Sequence, residues 1–326
     1  MAIDTVSLGE TGLSVSELAF GTWRFGRPND AGDIEIGRER AMALLDTYAA
    51  NGGRFIDTAD VYGDGRAERW IGDWLDDRDR ESYVIASKVY FPTREGDPNG
   101  KGLNRKHLHR QLDASLNRLG TSYLDILYIH RWDDRTPVDK FMRTLAEFVD
   151  DGRVLYLGTS TKTPNAWRVA MANERARRRG WEPFTVAQPR YNLVNRAIEG
   201  NYLEMCREYG IAVVPWSPLA EGFLTGKYER SADPPAGSRG ATDRRFAERY
   251  LESDAFDVLD SVRSVAESVV ASPTQVALAW LLAHGDVTAP IVGARTPDQL
   301  EENVDACSVS LTADQFDRLA AAGAED

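Results

Sequence analysis

The feature that most constrains the fold of this chain is a repeated alternation of short β-type runs with longer segments of helical periodicity. Runs rich in β-branched and aromatic residues favour strands, and apolar residues three or four positions apart favour amphipathic helices. Eight runs are predicted as strands: Leu18–Gly21, Phe55–Asp57, Tyr83–Ser87, Leu124–Ile129, Val154–Gly158, Thr185–Ala187, Ala212–Pro215 and Ala289–Val292. The helical segments between them include Arg38–Asn51, Arg66–Asp76, Asn104–Leu119, Val138–Asp150, Pro164–Arg179, Ile198–Tyr209 and Ser272–His284. This order predicts an α/β protein built on a parallel sheet.

Eight strand–helix units are the number that closes a (β/α)8 TIM barrel, a fold of about 250 residues. The chain has 326 residues, and its excess length has three visible places. Thr5–Leu8 and Leu13–Ser16 predict an N-terminal β-hairpin, and Thr312–Gly323 predicts a C-terminal extra helix capped by Thr312. The segment from Leu219 to about Ser253 predicts a lid or a mobile loop after the seventh strand. We therefore expect one barrel domain over residues 1–326.

An open, doubly wound sheet is the competing architecture. Its dinucleotide-binding form carries the pattern G-x-G-x-x-G between the first strand and the first helix. The first strand here continues into Gly21-Thr22-Trp23-Arg24-Phe25-Gly26, and the nearest glycine pair, in Gly63-Asp64-Gly65, lacks the third glycine. The sequence therefore favours the barrel.

The charge and composition of the chain exclude several classes of protein. Acidic residues outnumber basic ones by 51 to 39, so a broad electrostatic surface for nucleic acid is not expected. The basic run Arg175–Arg179 precedes Gly180, which is typical of a helix end with a glycine cap. Two cysteines cannot form a disulfide framework, and the longest aliphatic run is too short to span a bilayer. We expect a cytoplasmic protein without a membrane partner, whose oligomeric state the sequence leaves open.

Titratable side chains follow three consecutive predicted strands. Asp57 ends the second strand, Lys88 follows the third and His130 follows the fourth, while Tyr62 lies just beyond the second. Because the carboxyl ends of the strands meet at one rim of a barrel, these four side chains are candidates for one site. Taken singly, each also has a structural interpretation: a turn cap for Asp57, an exposed strand end for Lys88, and a core residue for His130 or Tyr62.

Together with these four residues, several longer motifs resemble the aldo-keto reductase superfamily. They are GTW, DTADVYG, ASK, LYIH, WSPLAEGFLTGKY and VGARTPDQLEEN, and the resemblance covers nearly the whole chain. It implies that Asp57, Tyr62, Lys88 and His130 are a catalytic tetrad for hydride transfer between NAD(P)H and an aldehyde or ketone. A tyrosine, with an ordinary pKa near 10, suits a general acid, and a nearby lysine is expected to lower that pKa. Asp57 would hold Lys88, and His130 would orient the carbonyl oxygen of the substrate.

The resemblance also implies that an extended nicotinamide dinucleotide binds across the barrel mouth. The nicotinamide end would contact Gly21, Thr22, Trp23, Asp57, Ser160 and Gln188, with Trp216 stacked on the ring. The pyrophosphate would contact Ser217, Leu219, Gly222 and Lys227, with residues 219–253 covering it. The adenosine end would lie near Gly293, Ala294, Arg295, Thr296, Gln299, Glu302 and Asn303.

Three positions depart from the pattern of many relatives. Gly293 and Gln299 stand where some relatives carry a lysine and an arginine that bind the 2′-phosphate, which leaves Arg295 as the candidate phosphate ligand. We expect NADPH to be preferred over NADH. Thr161 stands where many relatives carry an asparagine, which puts one contact to the carboxamide in doubt.

Aromatic residues after the first, third and fourth strands predict a substrate pocket for a small carbonyl compound. They are Trp23, Phe25, Tyr90, Phe91 and Trp132, with Arg24 and Arg131 as local cations or ordinary solvated arginines. Three other functions stay open: a cofactor-sensing regulatory subunit of potassium channels, a barrel hydrolase with a metal on His130, Asp133, Asp134 and Asp57, and a purely structural barrel. The sequence leaves the physiological substrate open as well.

Overall fold

The computed structural model describes residues 3–29, 32–160 and 165–323. A two-stranded antiparallel hairpin precedes an eight-stranded parallel sheet in this part of the chain. The hairpin strands are β1 (Thr5–Ser7) and β2 (Ser14–Ser16). The sheet consists of β3 (Ala19–Gly21), β4 (Phe55–Asp57), β5 (Val84–Val89), β6 (Leu124–Ile129), β7 (Val154–Thr159), β8 (Phe184–Ala187), β9 (Ala212–Val213) and β10 (Ile291–Val292).

The sheet is a closed (β/α)8 barrel. Its strands pair in the order β10-β3-β4-β5-β6-β7-β8-β9, so each strand from β3 to β9 neighbours the next along the chain. A parallel bridge between Trp216 and Ile291 joins the β9 and β10 ends of the sheet. The predicted fold class is confirmed.

Helices connect the strands and surround the barrel. They are α1 (Arg38–Ala50), α2 (Arg66–Leu75), α3 (Arg105–Leu119), α4 (Val138–Asp150), α5 (Ala166–Arg177), α6 (Asn201–Glu208), the short α7 (Arg239–Thr242) and α8 (Arg244–Phe246), α9 (Ala255–Val269), α10 (Pro273–Leu282), α11 (Pro297–Asp305) and α12 (Ala313–Ala322). Thr312 caps α12 in a capping box with Gln315, as its position in the sequence predicts. α5 ends in basic residues, and Gly180 follows in the left-handed conformation with φ +65°.

The last two strands are shorter than predicted. β9 ends at Val213 and β10 begins at Ile291. Pro215 and Pro290 lie in the residues that were predicted as strand but lie outside β9 and β10. Because proline has no amide hydrogen to donate to a neighbouring strand, it shortens the paired segment.

Apolar side chains fill the barrel and the layer between the strands and the helices. Tyr128 and Val186 belong to the cluster inside the barrel, together with Leu8 and Val15 of the hairpin. The hairpin therefore closes the end of the barrel at which the strands begin. The opposite end, where the strands finish, carries the candidate functional residues.

The predicted lid, residues 219–253, has a compact aromatic core of its own. Phe223 stacks on Tyr250 with ring centroids 5.3 Å apart, and Phe246 contacts Tyr250 at 5.0 Å. Tyr228 packs against Phe223 and Phe246 in the same cluster. All four rings are buried, so this segment has a packed aromatic core, and its role as a lid stays a prediction.

Among the described residues, no single helix combines the length and the apolar composition needed to cross a membrane. α9 and α10 meet those criteria only as a pair, with a bend of 94° between them.

Candidate active site

Three members of the predicted tetrad form a buried hydrogen-bonded chain at the open end of the barrel. The ammonium of Lys88 lies 2.5 Å from Oδ2 of Asp57 and donates to the hydroxyl oxygen of Tyr62 at 3.2 Å. It also donates to the carbonyl oxygen of Thr58 at 2.8 Å. Asp57 ends β4 and Lys88 is the last residue but one of the adjacent paired strand β5, which explains why residues distant in sequence come into contact.

A tight turn holds Tyr62 over this ion pair. Residues Tyr62–Gly65 form a turn in which Gly63, Asp64 and Gly65 all have positive φ angles between +55° and +79°. A Cβ atom at Gly63 would lie 2.3 Å from the carbonyl oxygen of Phe25. Glycine at this position therefore permits both the backbone conformation and the close packing of the loop that carries Tyr62.

His130 completes the set from the end of β6. Its ring contacts Tyr62 edge-on with centroids 5.9 Å apart, and it contacts Phe91 at 4.9 Å. The structure therefore brings together all four residues that the sequence proposed, and it places His130 beside the hydroxyl-bearing ring.

Burial changes the expected acidity of Tyr62. Its removal from water raises the pKa of Tyr62 above the ordinary value, although the Lys88 ammonium acts in the opposite direction. The effect of Lys88 on this pKa has the predicted direction, but the larger effect of burial makes the net shift upward. Burial is the largest single effect on the pKa of Lys88 and acts to lower it, but Asp57 and Tyr62 together outweigh burial and keep that pKa above its usual value.

Two further polar side chains extend the chain of contacts across the mouth. Nε2 of Gln188 donates to Oδ1 of Asp57 at 2.7 Å, and Oγ of Ser160 donates to Oε1 of Gln188 at 3.1 Å. Thr22, which is buried, donates to the carbonyl oxygen of Asp57 at 3.0 Å. These three residues lie where the nicotinamide end was predicted. Thr161 falls outside the described residues.

A cluster of cations lies in the segments that follow β3, β9 and β10. Lys227 is exposed, and partial loss of water contact together with the nearby charges of Arg295, Arg24 and Arg239 lowers its pKa. Burial likewise lowers the pKa of Arg24 to about 10, with Glu35 opposing and Arg295 and Arg239 contributing. Four positive charges brought this close in a partly buried region form a suitable site for an anionic group. Sequence reasoning placed Arg24 at the substrate and did not select Arg239; an arginine at the start of a four-residue helix inside a long insertion gives no signal of its own.

Among the remaining predicted cofactor residues, Gly222 and Gln299 contact members of this cluster. A Cβ atom at Gly222 would lie 3.4 Å from Nζ of Lys227, and one at Gly293 would lie 3.8 Å from the carbonyl oxygen of Gly21. Near the start of α11, Oε1 of Gln299 accepts from the amide of Arg295. In the same region, Nδ2 of Asn303 donates to the Gly293 carbonyl oxygen, and Oε1 of Glu302 accepts a hydrogen bond from Ser272. After β9, the amide of Glu221 donates to Oγ of Ser217, close to Leu219.

The predicted aromatic wall is present except for one member. Trp23 is 41% exposed and lies under the Arg27 guanidinium, and Tyr90 packs edge-on against Phe91. Phe25 does not line the mouth, because it is 1% exposed and packs against Phe20 in the core.

The predicted substrate pocket also included Trp132 and the two arginines Arg131 and Arg24. Trp132 packs edge-on against Phe141 with its own ring half-buried. Arg131 is exposed, as an ordinary solvated arginine would be, whereas Arg24 is held by Glu35.

The carboxylates proposed for a metal site have other partners. Asp133 accepts hydrogen bonds from the Leu103 amide and the Thr136 hydroxyl, and Asp134 pairs with Arg168. Within the described ranges, no group of three or more His, Cys, Asp or Glu side chains is arranged to hold a metal ion.

Comparison with known proteins agrees with the geometry of the site. Residues 17–324 match the model of the Aldo/keto reductase family. The chain belongs to the aldo/keto reductase family. It is 37% identical over 325 residues to the aldo-keto reductase ausK of Aspergillus calidoustus, covering 96% of this chain and 80% of that protein.

Two other relatives show the range of this family. The versiconal hemiacetal acetate reductase of Aspergillus parasiticus is 33% identical, over 96% of this chain and 94% of its own length. A probable voltage-gated potassium channel subunit beta of Oryza sativa subsp. japonica is 36% identical, over 97% and 95%. Membership in this family supports an oxidoreductase; such enzymes use nicotinamide cofactors and act on small carbonyl compounds.

Proposed function

We propose that this protein reduces an aldehyde or ketone with NADPH, reversibly, and that Tyr62 is the general acid. The observation that carries the proposal is the buried chain from Asp57 through Lys88 to the Tyr62 hydroxyl. When a nicotinamide cofactor is bound, it supplies the hydride. The residues of this chain then have to orient the carbonyl group and deliver one proton to its oxygen.

Tyr62 is suited to give that proton. Because burial raises its pKa, the phenol is protonated at neutral pH. Lys88 donates a hydrogen bond to the phenol oxygen and so stabilises the negative charge that develops there as the proton leaves. Asp57 holds Lys88 in place, and His130, beside the Tyr62 ring, is positioned to donate a hydrogen bond to the carbonyl oxygen.

The cation cluster supports a phosphate-bearing cofactor. Lys227, Arg24, Arg239 and Arg295 influence one another's charge, and a pyrophosphate or a 2′-phosphate would relieve their repulsion. Arg295 is our candidate for NADPH preference, with NADH as the weaker donor. A ratio of kcat/KM values close to one for the two cofactors would contradict this assignment.

The wider setting follows from the same proposal. Residues 219–253 would cover the cofactor, Trp216 would stack on the nicotinamide, and the aromatic wall at Trp23, Tyr90 and Trp132 would receive the substrate. We propose a cytoplasmic enzyme whose partner is a small carbonyl compound, with neither nucleic acid nor a membrane involved.

Replacement of Tyr62 by phenylalanine tests the acid. General acid catalysis contributes about 10²- to 10⁴-fold, so Tyr62→Phe should lose activity by that factor in a 340 nm NADPH-oxidation assay across a panel of aldehydes, ketones and sugars. NADPH affinity, followed by quenching of tryptophan fluorescence, should change little. Tyr156→Phe is the matched control, because the Tyr156 hydroxyl contacts Thr11 of the hairpin loop at the opposite end of the barrel. Near-full activity of Tyr62→Phe would refute the assignment.

A cofactor-sensing channel subunit is the second candidate. It is favoured by the 36% identity to the protein named as a potassium channel subunit beta. Such a subunit would bind NADPH but turn over slowly with excess aldehyde, and it would co-purify with a channel. Rapid steady-state turnover without a partner would favour the enzyme.

A further inference from the structure

One carboxylate in the lid collects three arginines. Oε1 of Glu221 lies 2.8 Å from Arg249 and 3.2 Å from Arg190, and Oε2 lies 2.5 Å from Arg239. Side-chain exposure is below 20% for Glu221, Arg190 and Arg239. Such pairs are shielded from solvent, unlike exposed pairs, whose typical contribution is near zero. We call Glu221 with these three arginines the lid cluster.

The backbone under Glu221 has an uncommon conformation. Ser217, Ala220 and Glu221 all have positive φ angles, of +59°, +49° and +61°, although none is glycine. Each such residue costs free energy that the surrounding structure must offset, and clusters of them mark functional loops more often than random ones. The three ion pairs of Glu221 are available to offset that cost.

The arginines of the lid cluster also reach two tryptophans of the mouth. The Arg190 guanidinium lies 5.6 Å from the centre of the Trp216 ring, and the Arg239 guanidinium lies 5.6 Å from the centre of the Trp23 ring. Trp216 follows β9 and Trp23 follows β3, so the two indoles flank β10. One carboxylate is thereby connected to both indoles through one arginine each.

We propose that Glu221 is a positioning residue that fixes the Trp216 and Trp23 indoles relative to each other through Arg190 and Arg239. This inference rests on the proposed function, in which Trp216 stacks on the nicotinamide and Trp23 borders the carbonyl substrate. The distance between these two rings then sets the distance over which hydride is transferred. An error of about 1 Å in such a distance can lower the rate roughly 100-fold.

Replacement of Glu221 by glutamine should affect NADPH binding and kcat differently. The variant keeps the shape of the side chain but leaves the arginines without their shared carboxylate. The added positive charge near Lys227 should leave NADPH binding unchanged or make it tighter, whereas kcat should fall about tenfold or more. The primary isotope effect with 4-deuterated NADPH should rise as transfer becomes rate-limiting. A merely structural role would weaken cofactor binding and kcat together.

Glu248→Gln is the matched control. Glu248 lies in the same lid and pairs with Arg244, but that pair is exposed, with Arg244 90% accessible. It should leave kcat, the isotope effect and the NADPH dissociation constant unchanged. If Glu221→Gln impairs folding, as judged by its melting temperature, Arg190→Met replaces it, because this variant leaves Glu221 paired with Arg239 and Arg249 and should lower kcat in the same direction.

Two results would overturn the inference. One is a kcat for Glu221→Gln, or for its substitute Arg190→Met, within twofold of the wild type; the other is a loss of NADPH affinity in proportion to the loss of kcat. Failure of the proposed function would look different, because the wild-type protein itself would then show no steady-state NADPH oxidation with any carbonyl compound of the panel.

Discussion

The buried Asp57–Lys88 pair offers the most demanding test of the site. Lys88→Met removes the ammonium but keeps a side chain of similar length. The Asp57 carboxylate, 5% exposed, would then keep the Gln188 amide at 2.7 Å as its side-chain hydrogen-bond donor among the described residues. Removing one partner of a buried ion pair typically costs about 3–5 kcal/mol. We therefore expect the free energy of unfolding at pH 8 to fall by that amount, which is a large part of the stability of a typical domain.

The pH dependence identifies the cause of that loss. Without the ammonium, the pKa of Asp57 in the folded state should rise further above its value in the unfolded chain. A carboxyl group with a raised folded-state pKa destabilises the protein at high pH, and the penalty disappears as pH falls to the unfolded value of about 3.9. The difference between Lys88→Met and the wild type should thus be smaller at pH 5 than at pH 8.

Urea unfolding followed by tryptophan fluorescence at both pH values measures this difference. The double variant Asp57→Asn/Lys88→Met has no buried charge at the site, and it should recover to within about 1–2 kcal/mol of the wild type because neutral replacements of buried pairs are tolerated. A cost below about 1 kcal/mol for Lys88→Met at pH 8 would refute the reasoning. So would a cost that does not change with pH.

Three other predictions follow from the site. Because the pKa of Lys227 is lowered, this lysine should lose its charge, and the free enzyme its NADPH affinity, at a lower pH than for a lysine with an ordinary pKa. In a fluorescence titration, Lys227→Met should remove this pH dependence. The raised pKa of Tyr62 should keep the rate of carbonyl reduction insensitive to phenol ionisation up to about pH 10 in a stopped-flow profile. Gly63→Ala should lower kcat by displacing Tyr62. Gly152→Ala is its control, because Gly152 also has a positive φ but has open space around its Cβ; it should cost about 1–2 kcal/mol of stability and leave the activity unchanged.

The sequence predicted the barrel and the tetrad for the same reason. Strand periodicity locates the ends of strands, and the rule that parallel strands end at one rim then brings Asp57, Lys88 and His130 together. The predictions for β9 and β10 were too long only at the ends that contain a proline, where the strand pairing stops. α9 and α11 were not assigned from the sequence, although apolar residues of α9, such as Leu259 and Val262, have the required spacing.

What the sequence could not supply depends on burial and on loop geometry. Phe25 follows the first strand like its aromatic neighbour Trp23, and only the tertiary packing of the loop turns one ring into the core and the other to the mouth. The net direction of the Tyr62 pKa shift required knowledge of its burial. The partners of Glu221 lie at three separate places along the chain with no regular spacing, so the sequence pattern could not indicate them.

The hairpin that closes the other end of the barrel has a consequence for the order of folding. Its loop contacts partners far away along the chain: the Glu10 amide donates to the Gly210 carbonyl, and the Tyr156 hydroxyl donates to the Thr11 carbonyl across 145 residues. Contacts of such sequence separation form slowly, because the intervening chain must first be brought together. We therefore expect the hairpin to dock late, after the pairing of neighbouring strands such as β5 and β6. Until the hairpin docks, the apolar interior of the barrel would be open to water at the end where the strands begin. We expect a folding chain to be most prone to aggregation during this interval.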